Sequence, residues 1–241
     1  MATRFAVFDI DGTIVRWQLI HATFDELGRM GKLRPDDYAA IKAARLNWKT
    51  RDQEEGFMAY QRKWIEIVTR NTDTISAADF DIASQRVFTE YKDQVYRYTR
   101  DLIRQLKADD YLLFAISGSQ QEVVRLLAAY YGFDDYLATV FEQANGRLTG
   151  KARIIKGDKG ALVRQLMHKH GVGQEGSVAV GDSEGDTDML EAVERPIAFN
   201  PSKKLFRHAA ANGWQVVLER KNMIYELAAG PDGYHLEHTN A

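Results

Sequence analysis

The sequence predicts an α/β protein, with a doubly wound, mostly parallel, Rossmann-like sheet, helices on both faces and an inserted α-helical cap. Three observations carry that prediction. One apolar run, FAVF at 5–8, stands alone ahead of a long stretch of purely helical periodicity. From Leu102 onward, strand-like apolar runs alternate with amphipathic helical segments, the pattern of parallel strands joined by crossover helices. Clusters rich in Asp, Ser and Gly follow three of the apolar runs directly.

The elements follow in chain order. FAVF is continuous rather than alternating, as a strand covered on both faces requires. It is cut off by Asp9 and Asp11, one residue apart, and then by Gly12. From Arg16 to about Glu90 the texture is helical: QLIHATFDELGRM, PDDYAAIKAARLNW and EEGFMAYQRKWIEIVTR each space apolar residues by three and four. Pro35 followed by Asp36 and Asp37 suits the first turn of a helix. Then come YLLFAIS, QEVVRLLAAYYG, KGALVRQLMHKHG, SVAVGD, RPIAFN, KKLFRHAAANG and WQVVL, strand and helix in turn. The expected organisation is a discontinuous α/β core at 1–15 and 89–228, a helical cap at 16–88 and a weakly ordered tail at 229–241. The cap leaves the chain beside the two aspartates. Ligands of open parallel sheets bind beyond the carboxyl ends of the strands, so the cap is expected to cover the site as a lid.

Composition narrows the function classes. Among 241 residues, 32 are basic and 34 acidic, a formal net charge of -2, so no global field recruits nucleic acid or an acidic membrane. Cysteine is absent, which excludes disulfides, thiolate nucleophiles and thiolate metal sites. No apolar stretch is long enough to span a bilayer, and the six mostly apolar residues near the start are too few for a signal peptide. A cytoplasmic location is expected.

The acids carry the chemistry. Asp-Gly between apolar residues is also a hairpin signal, and FDIDGTIV alone allows either reading. The unbroken FAVF run and the recurrence of such clusters downstream weaken the hairpin reading. AISGSQ sets Ser117, Gly118 and Ser119 after a second strand, and VAVGDSEGDTDML sets Asp182, Asp186 and Asp188 after a third. Carboxylates gathered from two strand ends repel by several kcal/mol unless a cation or shared proton intervenes. An all-oxygen donor set points to a hard ion, Mg2+ before Ca2+ or Zn2+. An EF-hand starting at Asp182 fails, because its sixth position is Thr187 and its twelfth Val193. Mg2+ held by few carboxylates completes its shell on water and phosphate, and a phosphate needs donors. Ser117 and the Gly118 amide, just before an expected helix start, would supply them. Lys159 stands at a helix N-terminus, where a cation is misplaced unless an anion faces it.

Together FDIDGT, ISGS, the lysine of DKGALV and GDSEGD resemble, in order and spacing, the four motifs of the haloacid dehalogenase-like hydrolases. GRLTGK and FNPSKKLFRHAAANGW bring the resemblance closest to the phosphoserine phosphatase-like subgroup, whose helical cap lies between the first two motifs. It covers residues 5–15 and most of 111–218. The resemblance implies that Asp9 is a nucleophile forming an aspartyl-phosphate and Asp11 the acid, then base. It assigns Ser117, Gly118 and Lys159 to the phosphoryl oxygens, and Asp9, the Asp11 carbonyl and Asp182 to Mg2+. Asp186 and Thr13 would support that shell.

One departure bears on substrate. Serine phosphatases of this group carry a glutamate nine residues after the nucleophile, which helps hold the substrate ammonium; here that position is Gln18. An uncharged amide pairs poorly with an ammonium, so the expected substrate is a small phosphomonoester other than phosphoserine. Gln18, Arg45 and Arg51 are candidate readers of the leaving group. Two alternatives stay open: a phosphotransferase or phosphomutase, and a non-enzymatic receiver-like module that also combines aspartates, Mg2+ and a lysine. GVGQEG at Gly171 matches the dinucleotide fingerprint by letter, but it lies between a helix and a strand in the reverse order. KKLFRH at Lys203 reads as a solvated helix face rather than a nucleic-acid site.

Overall fold

The computed structural model describes residues 3–50, 56–155, 157–231 and 233–240. β1 (Phe5–Phe8) leads into four helices, α1 (Leu19–Arg29), α2 (Pro35–Thr50), α3 (Gly56–Asn71) and α4 (Ala77–Tyr91), and then α5 (Arg97–Ala108). The chain returns to the sheet with β2 (Leu112–Gln120), followed by α6 (Gln121–Tyr131), β3 (Asp135–Ala144) and β4 (Arg147–Arg153). α7 (Lys159–His170), β5 (Val178–Gly181), α8 (Thr187–Glu191), β6 (Arg195–Phe199) and α9 (Lys203–Asn212) continue the alternation. β7 (Gln215–Arg220), β8 (Met223–Gly230) and β9 (Gly233–Asn240) close it.

All nine strands share one sheet in the order β4-β3-β2-β1-β5-β6-β7-β8-β9. The middle, β3 to β7, is parallel, and β4, β8 and β9 are added antiparallel at the flanks. β1 lies between β2 and β5, which explains its unbroken apolar run: each residue is buried, and successive residues serve opposite faces. Ala6 and Phe8 pack with Leu102 and Leu106 of α5 and Val123 and Leu127 of α6. Phe5 and Val7 pack with Val163 and Leu166 of α7 and Leu205 of α9. Helices therefore cover both faces, and the sheet is doubly wound as the alternation predicts.

Helices α1 to α4 build a third apolar cluster around Phe24, Tyr60, Trp64, Ile67 and Phe80. Two short segments link it to the sheet and run side by side: Arg16 N–H donates to Gln94 O (3.1 Å) and Tyr96 N–H to Ile14 O (2.9 Å). A further tether comes from β3 and β4. Their turn uses Asn145 and Gly146, both at positive φ (50° and 73°), a two-residue connection suited to strand twist. Gly146 O accepts from Ala77 N–H (2.9 Å), and Leu148 and Phe141 join the helical cluster.

One expectation is corrected. Residues 229–241 were expected to be a weakly ordered tail, yet β9 pairs along the length of β8. β8 is largely half-buried and β9 largely exposed, so backbone pairing rather than apolar burial defines them, and composition alone reads them as loop. Among the described residues no helix is long and apolar enough to cross a membrane.

Candidate active site

The three polar clusters meet at one edge, beyond the carboxyl ends of β1, β2 and β5. Asp9 follows the last residue of β1 and is anchored there by its N–H, which donates to Val180 O of β5 (3.0 Å). The residue is buried, 5% exposed. The chain then turns tightly: Ile14 and Val15 N–H both donate to Ile10 O (2.9 Å each). The Asp-Gly pair thus forms a strand-end loop, not a hairpin between adjacent strands. Gly12 is required twice over. Its φ is +95°, and a Cβ there would meet Asp182 Oδ2 at 2.2 Å. The Asp182 carboxylate, carried from β5, therefore rests against the backbone of the first loop.

Asp9 and Asp11 face different partners. Lys159 Nζ, buried at the start of α7, donates to Asp9 Oδ1 (2.8 Å), Asp186 Oδ1 (2.6 Å) and Ile116 O (3.4 Å). Asp11 is gripped from the other side. Its Oδ1 accepts from Leu19 N–H at the start of α1 (2.6 Å) and from Ser119 Oγ (3.0 Å), and its Oδ2 accepts from Ser117 Oγ (2.7 Å). A break in the β2–β3 register between Ser117 and Gln120 shapes this grip. Gly118 lies within the break and is the one exposed residue of an otherwise covered strand end. β2 runs on to Gln120, so Ser117 and Gly118 sit in an irregular strand end rather than immediately before the helix.

Asp186 is saturated. Besides Lys159, its Oδ2 accepts from Ser183 N–H (2.9 Å), Ser183 Oγ (2.8 Å) and Asp182 N–H (3.2 Å). It fixes the loop after β5 and leaves Asp182 partly exposed. Among the described residues, no protein donor reaches the Asp182 carboxylate. Asp9, Asp182 and Asp186 each offer an oxygen within 4.8 Å of the others.

The electrostatics follow from this crowding. Burial, opposed by Lys159 and reinforced by Asp186 and Asp11, pushes the Asp9 carboxyl up to about 7. Burial and the charges of Asp9 and Asp186 hold Asp182 well above the usual carboxylate range. Burial raises Asp11 too, tempered by the Leu19 amide and the two serine hydroxyls. Burial alone would lower Lys159, but the charges of Asp186 and Asp9 outweigh it and hold the ammonium above its ordinary value. Four carboxylates face one ammonium, and an oxygen-only donor set of this kind fits a hard divalent cation.

Other expected residues are placed less centrally. Thr13 is buried, but its hydroxyl has no hydrogen-bond partner among the described residues; its carbonyl accepts from Thr99 Oγ1 (2.9 Å). Thr13 therefore makes no hydrogen bond to the acid cluster, because the turn at Gly12 carries it back toward α5. Asp188 lies exposed on α8, outside the cluster. Gln18 precedes α1 and is half-buried, with no side-chain cap bond. Arg45 stacks over Trp17 at 4.3 Å in the helical region. Arg51 lies outside the described residues. Ser119 and Ser183 make contacts that motif reading assigns to neither. The alternation Ser117, Gly118, Ser119, with two hydroxyls on one side of a strand end, is the signal that could have identified the first.

Comparison with known proteins bears on the family and the fold. Residues 6–191 match the model of the haloacid dehalogenase-like hydrolases. A phosphoserine phosphatase of Streptomyces coelicolor is 36% identical over 212 residues, covering 87% of this chain and 47% of that protein. One from Archaeoglobus fulgidus is 28% identical over 205 residues, covering 84% and 54%. The chain thus spans about half the length of these curated relatives. Among solved structures, a Bordetella pertussis Tohama I protein of unknown function superposes with a TM-score of 0.72 at 25% identity, covering 90% of this chain and 98% of that one. A phospho-aspartyl intermediate analogue of phosphoserine phosphatase gives 0.65 at 21% identity, covering 92% and 95%, a shared fold. With the motifs in register, the strand ends converged and the family model matched over more than half its length, the chain belongs to the haloacid dehalogenase-like hydrolases.

Proposed function

We propose that this chain is a Mg2+-dependent phosphomonoester hydrolase working through an aspartyl-phosphate on Asp9. One observation carries the reading: two carboxylates one residue apart are held by separate donor sets, Asp9 by Lys159 and Asp11 by Ser117, Ser119 and the Leu19 amide. Such a division suits two roles. Asp9 keeps Oδ2 clear of protein donors among the described residues and attacks phosphorus as the bond to the leaving alcohol breaks. Asp11, its carboxyl raised by burial, gives its proton to the departing oxygen. It then takes a proton from the water that displaces Asp9 from phosphorus, and inorganic phosphate leaves. Lys159, Ser117 and the exposed Gly118 backbone would hold the phosphoryl oxygens, with the Ser117 hydroxyl turning from Asp11 toward the ester. The carboxylates of Asp9 and Asp182 and the carbonyl of Asp11 would hold Mg2+, and Asp186 would position Lys159 and the loop carrying Asp182. Bound there, the ion would neutralise the cluster, keep Asp9 ionised and polarise a phosphoryl oxygen.

Residues 16–88 act in this reading as a cap, joined to the α/β core by the paired segments at 14–16 and 94–96. The substrate is a small phosphorylated metabolite other than phosphoserine, because Gln18 cannot pair with an ammonium as a carboxylate would. The test is steady-state release of phosphate from aryl and alkyl phosphates with Mg2+ and with EDTA. Turnover should require the ion, phosphoserine should be poor, and Asp9→Asn should lower kcat by about a thousandfold or more while folding is kept. Transfer to added alcohols in place of phosphate release would make the chain a phosphotransferase. A folded, Mg2+-loaded protein inert toward the whole panel would make it a receiver-like module.

A further inference from the structure

One turn beyond the Asp11 contact, the helical region holds an unusual set of polar atoms. Trp17 Nε1, His21 Nδ1, Arg45 Nε and Trp64 Nε1 are all buried without a hydrogen-bond partner among the described residues. They belong to a single cluster. His21 stacks on Trp64 (ring centroids 4.5 Å) and meets Tyr60 edge-on (5.0 Å); Trp17 stacks on Trp48 (5.8 Å), and the Arg45 guanidinium lies over Trp17 at 4.3 Å. His21 and Trp64 are only 4% and 8% exposed. An unsatisfied buried donor gives up its bonds to water for nothing, so native proteins rarely keep one, and four in one side-chain cluster call for a partner. The cluster is also beside the chemistry: Leu19, whose amide binds Asp11, lies between Trp17 and His21 in sequence.

The atom types define what that partner offers. Indole Nε1–H and guanidinium Nε–H only donate, so three of the four require an acceptor. His21 is kept neutral, its imidazole pushed down to about 3 by burial and by Arg45, so one ring nitrogen can donate and the other accept. An aromatic cage alone would suit a quaternary ammonium. Here a cation already occupies the Trp17 face, and the carboxylate paired with Arg45 among the described residues, Asp25 at 3.9 Å, is engaged by Arg29 at 3.0 Å. A positively charged leaving group would meet donors and a guanidinium.

We propose that Trp17, His21, Arg45 and Trp64 form a leaving-group subsite that selects phosphomonoesters whose alcohol carries an oxygen acceptor and no positive charge. It rests on the phosphatase reading above and adds what the released alcohol must present. Trp48, Phe57 and Tyr60 supply the apolar walls, so an alcohol with a flat or apolar body fits best.

The experiment uses the Mg2+-loaded protein and four matched leaving groups. Phenyl phosphate has no distal acceptor, 4-acetylphenyl phosphate a neutral carbonyl, 4-carboxyphenyl phosphate a carboxylate, and tyramine O-phosphate an ammonium. Because intrinsic reactivity differs among them, the readout is the change in each kcat/KM ratio to phenyl phosphate when Trp64→Phe or Trp17→Phe removes one donor and keeps a ring. The ratio for the carbonyl or carboxylate ester should fall about tenfold, and that for the ammonium ester should hold or rise. Product inhibition of the unsubstituted protein provides a second reading free of folding effects. 4-Hydroxyacetophenone or 4-hydroxybenzoate should bind about tenfold more tightly than phenol, and tyramine no more tightly; which of the first two wins separates a neutral from an anionic acceptor. Phenyl phosphate turnover with ratios unmoved by both variants, or product binding that favours tyramine, would overturn the subsite alone. No turnover of any ester would overturn the phosphatase reading and the subsite with it.

Discussion

The acid site and the aromatic cluster of the helical region lie within one helical turn of each other and treat buried polar groups in opposite ways. At the acid site the side chains of Lys159, Asp186 and Asp11 are held by several partners each: Lys159 makes three contacts, Asp186 uses both oxygens and Asp11 accepts from three donors, which leaves the Asp182 carboxylate and Asp9 Oδ2 as the open acceptors among the described residues. In the helical region four buried polar atoms of one side-chain cluster have no partner among the described residues. Saturation fixes geometry before a ligand arrives, which suits groups that must act on any substrate. Unsatisfied donors leave free energy to be released by a particular ligand, which suits selection.

The sharpest way to break this contrast is to remove one cation from each region. Lys159→Met leaves Asp9 and Asp186 buried without their shared ammonium, and breaking a buried pair of this kind costs about 3–5 kcal/mol. Arg45→Met removes a guanidinium whose neighbouring carboxylate, Asp25, is 3.9 Å away, at a cost of about 0–1 kcal/mol. Denaturant titrations of the two variants without added metal should differ by at least about 2 kcal/mol. Equal losses would mean that the acid site is not the more tightly coupled of the two.

How much of this contrast sequence carries differs by region. The acid site was legible because each strand end has a sharp boundary, apolar run to polar cluster, as at Phe8–Asp9, Ile116–Ser117 and Gly181–Asp182. Lys159 was legible because a cation at a helix N-terminus contradicts the local dipole. Hydrogen-bond choices were not: the hold of Ser117 and Ser119 on Asp11 depends on an irregular register with β3, which no local pattern encodes. β3 and β4 were themselves missed as a pair, since a mostly half-buried β3 and a mostly exposed β4 lack a continuous apolar run, although Asn145–Gly146 carried the turn signal. In the helical region periodicity gave helices and core aromatics. It could not tell satisfied indoles from unsatisfied ones, because that depends on which helix faces meet.

Acid provides the next test. The His21 imidazole titrates near 6.5 when unfolded and is pushed down to about 3 in the folded chain. Between those values the unfolded chain binds a proton that the folded chain refuses, so this contribution is complete above 6.5 and is lost as pH falls toward 3. At pH 5 the loss is about 2 kcal/mol. His21→Phe removes it, so the variant should lose about 2 kcal/mol less than the unsubstituted protein between pH 7 and pH 5. Asp9 and Asp182, raised rather than lowered, act with the opposite sign in both proteins, and the difference between the proteins cancels them. Parallel acid dependence would show that His21 takes up a proton in the folded state and that the helical cluster is not closed to solvent.

The smallest effect compares one deleted hydrogen-bonding group on each side. Ser119 Oγ donates to Asp11 Oδ1 (3.0 Å) and accepts from Ile20 N–H (3.0 Å), joining the acid to the first turn of α1. Ser119→Ala removes both bonds, should cost about 1 kcal/mol in stability and should lower kcat about three- to tenfold with little change in KM, because Asp11, the proposed leaving-group acid, loses one of its three anchors. Trp64→Phe deletes a donor that has no partner to lose. Its smaller ring leaves a gap worth about 1–2 kcal/mol, and relief of the unsatisfied indole returns a similar amount, so thermal stability should stay within about 0.5 kcal/mol of the starting protein. If Trp64→Phe proves as costly as Ser119→Ala, the indole N–H is satisfied within the folded chain, and the two regions handle buried polarity by the same rule.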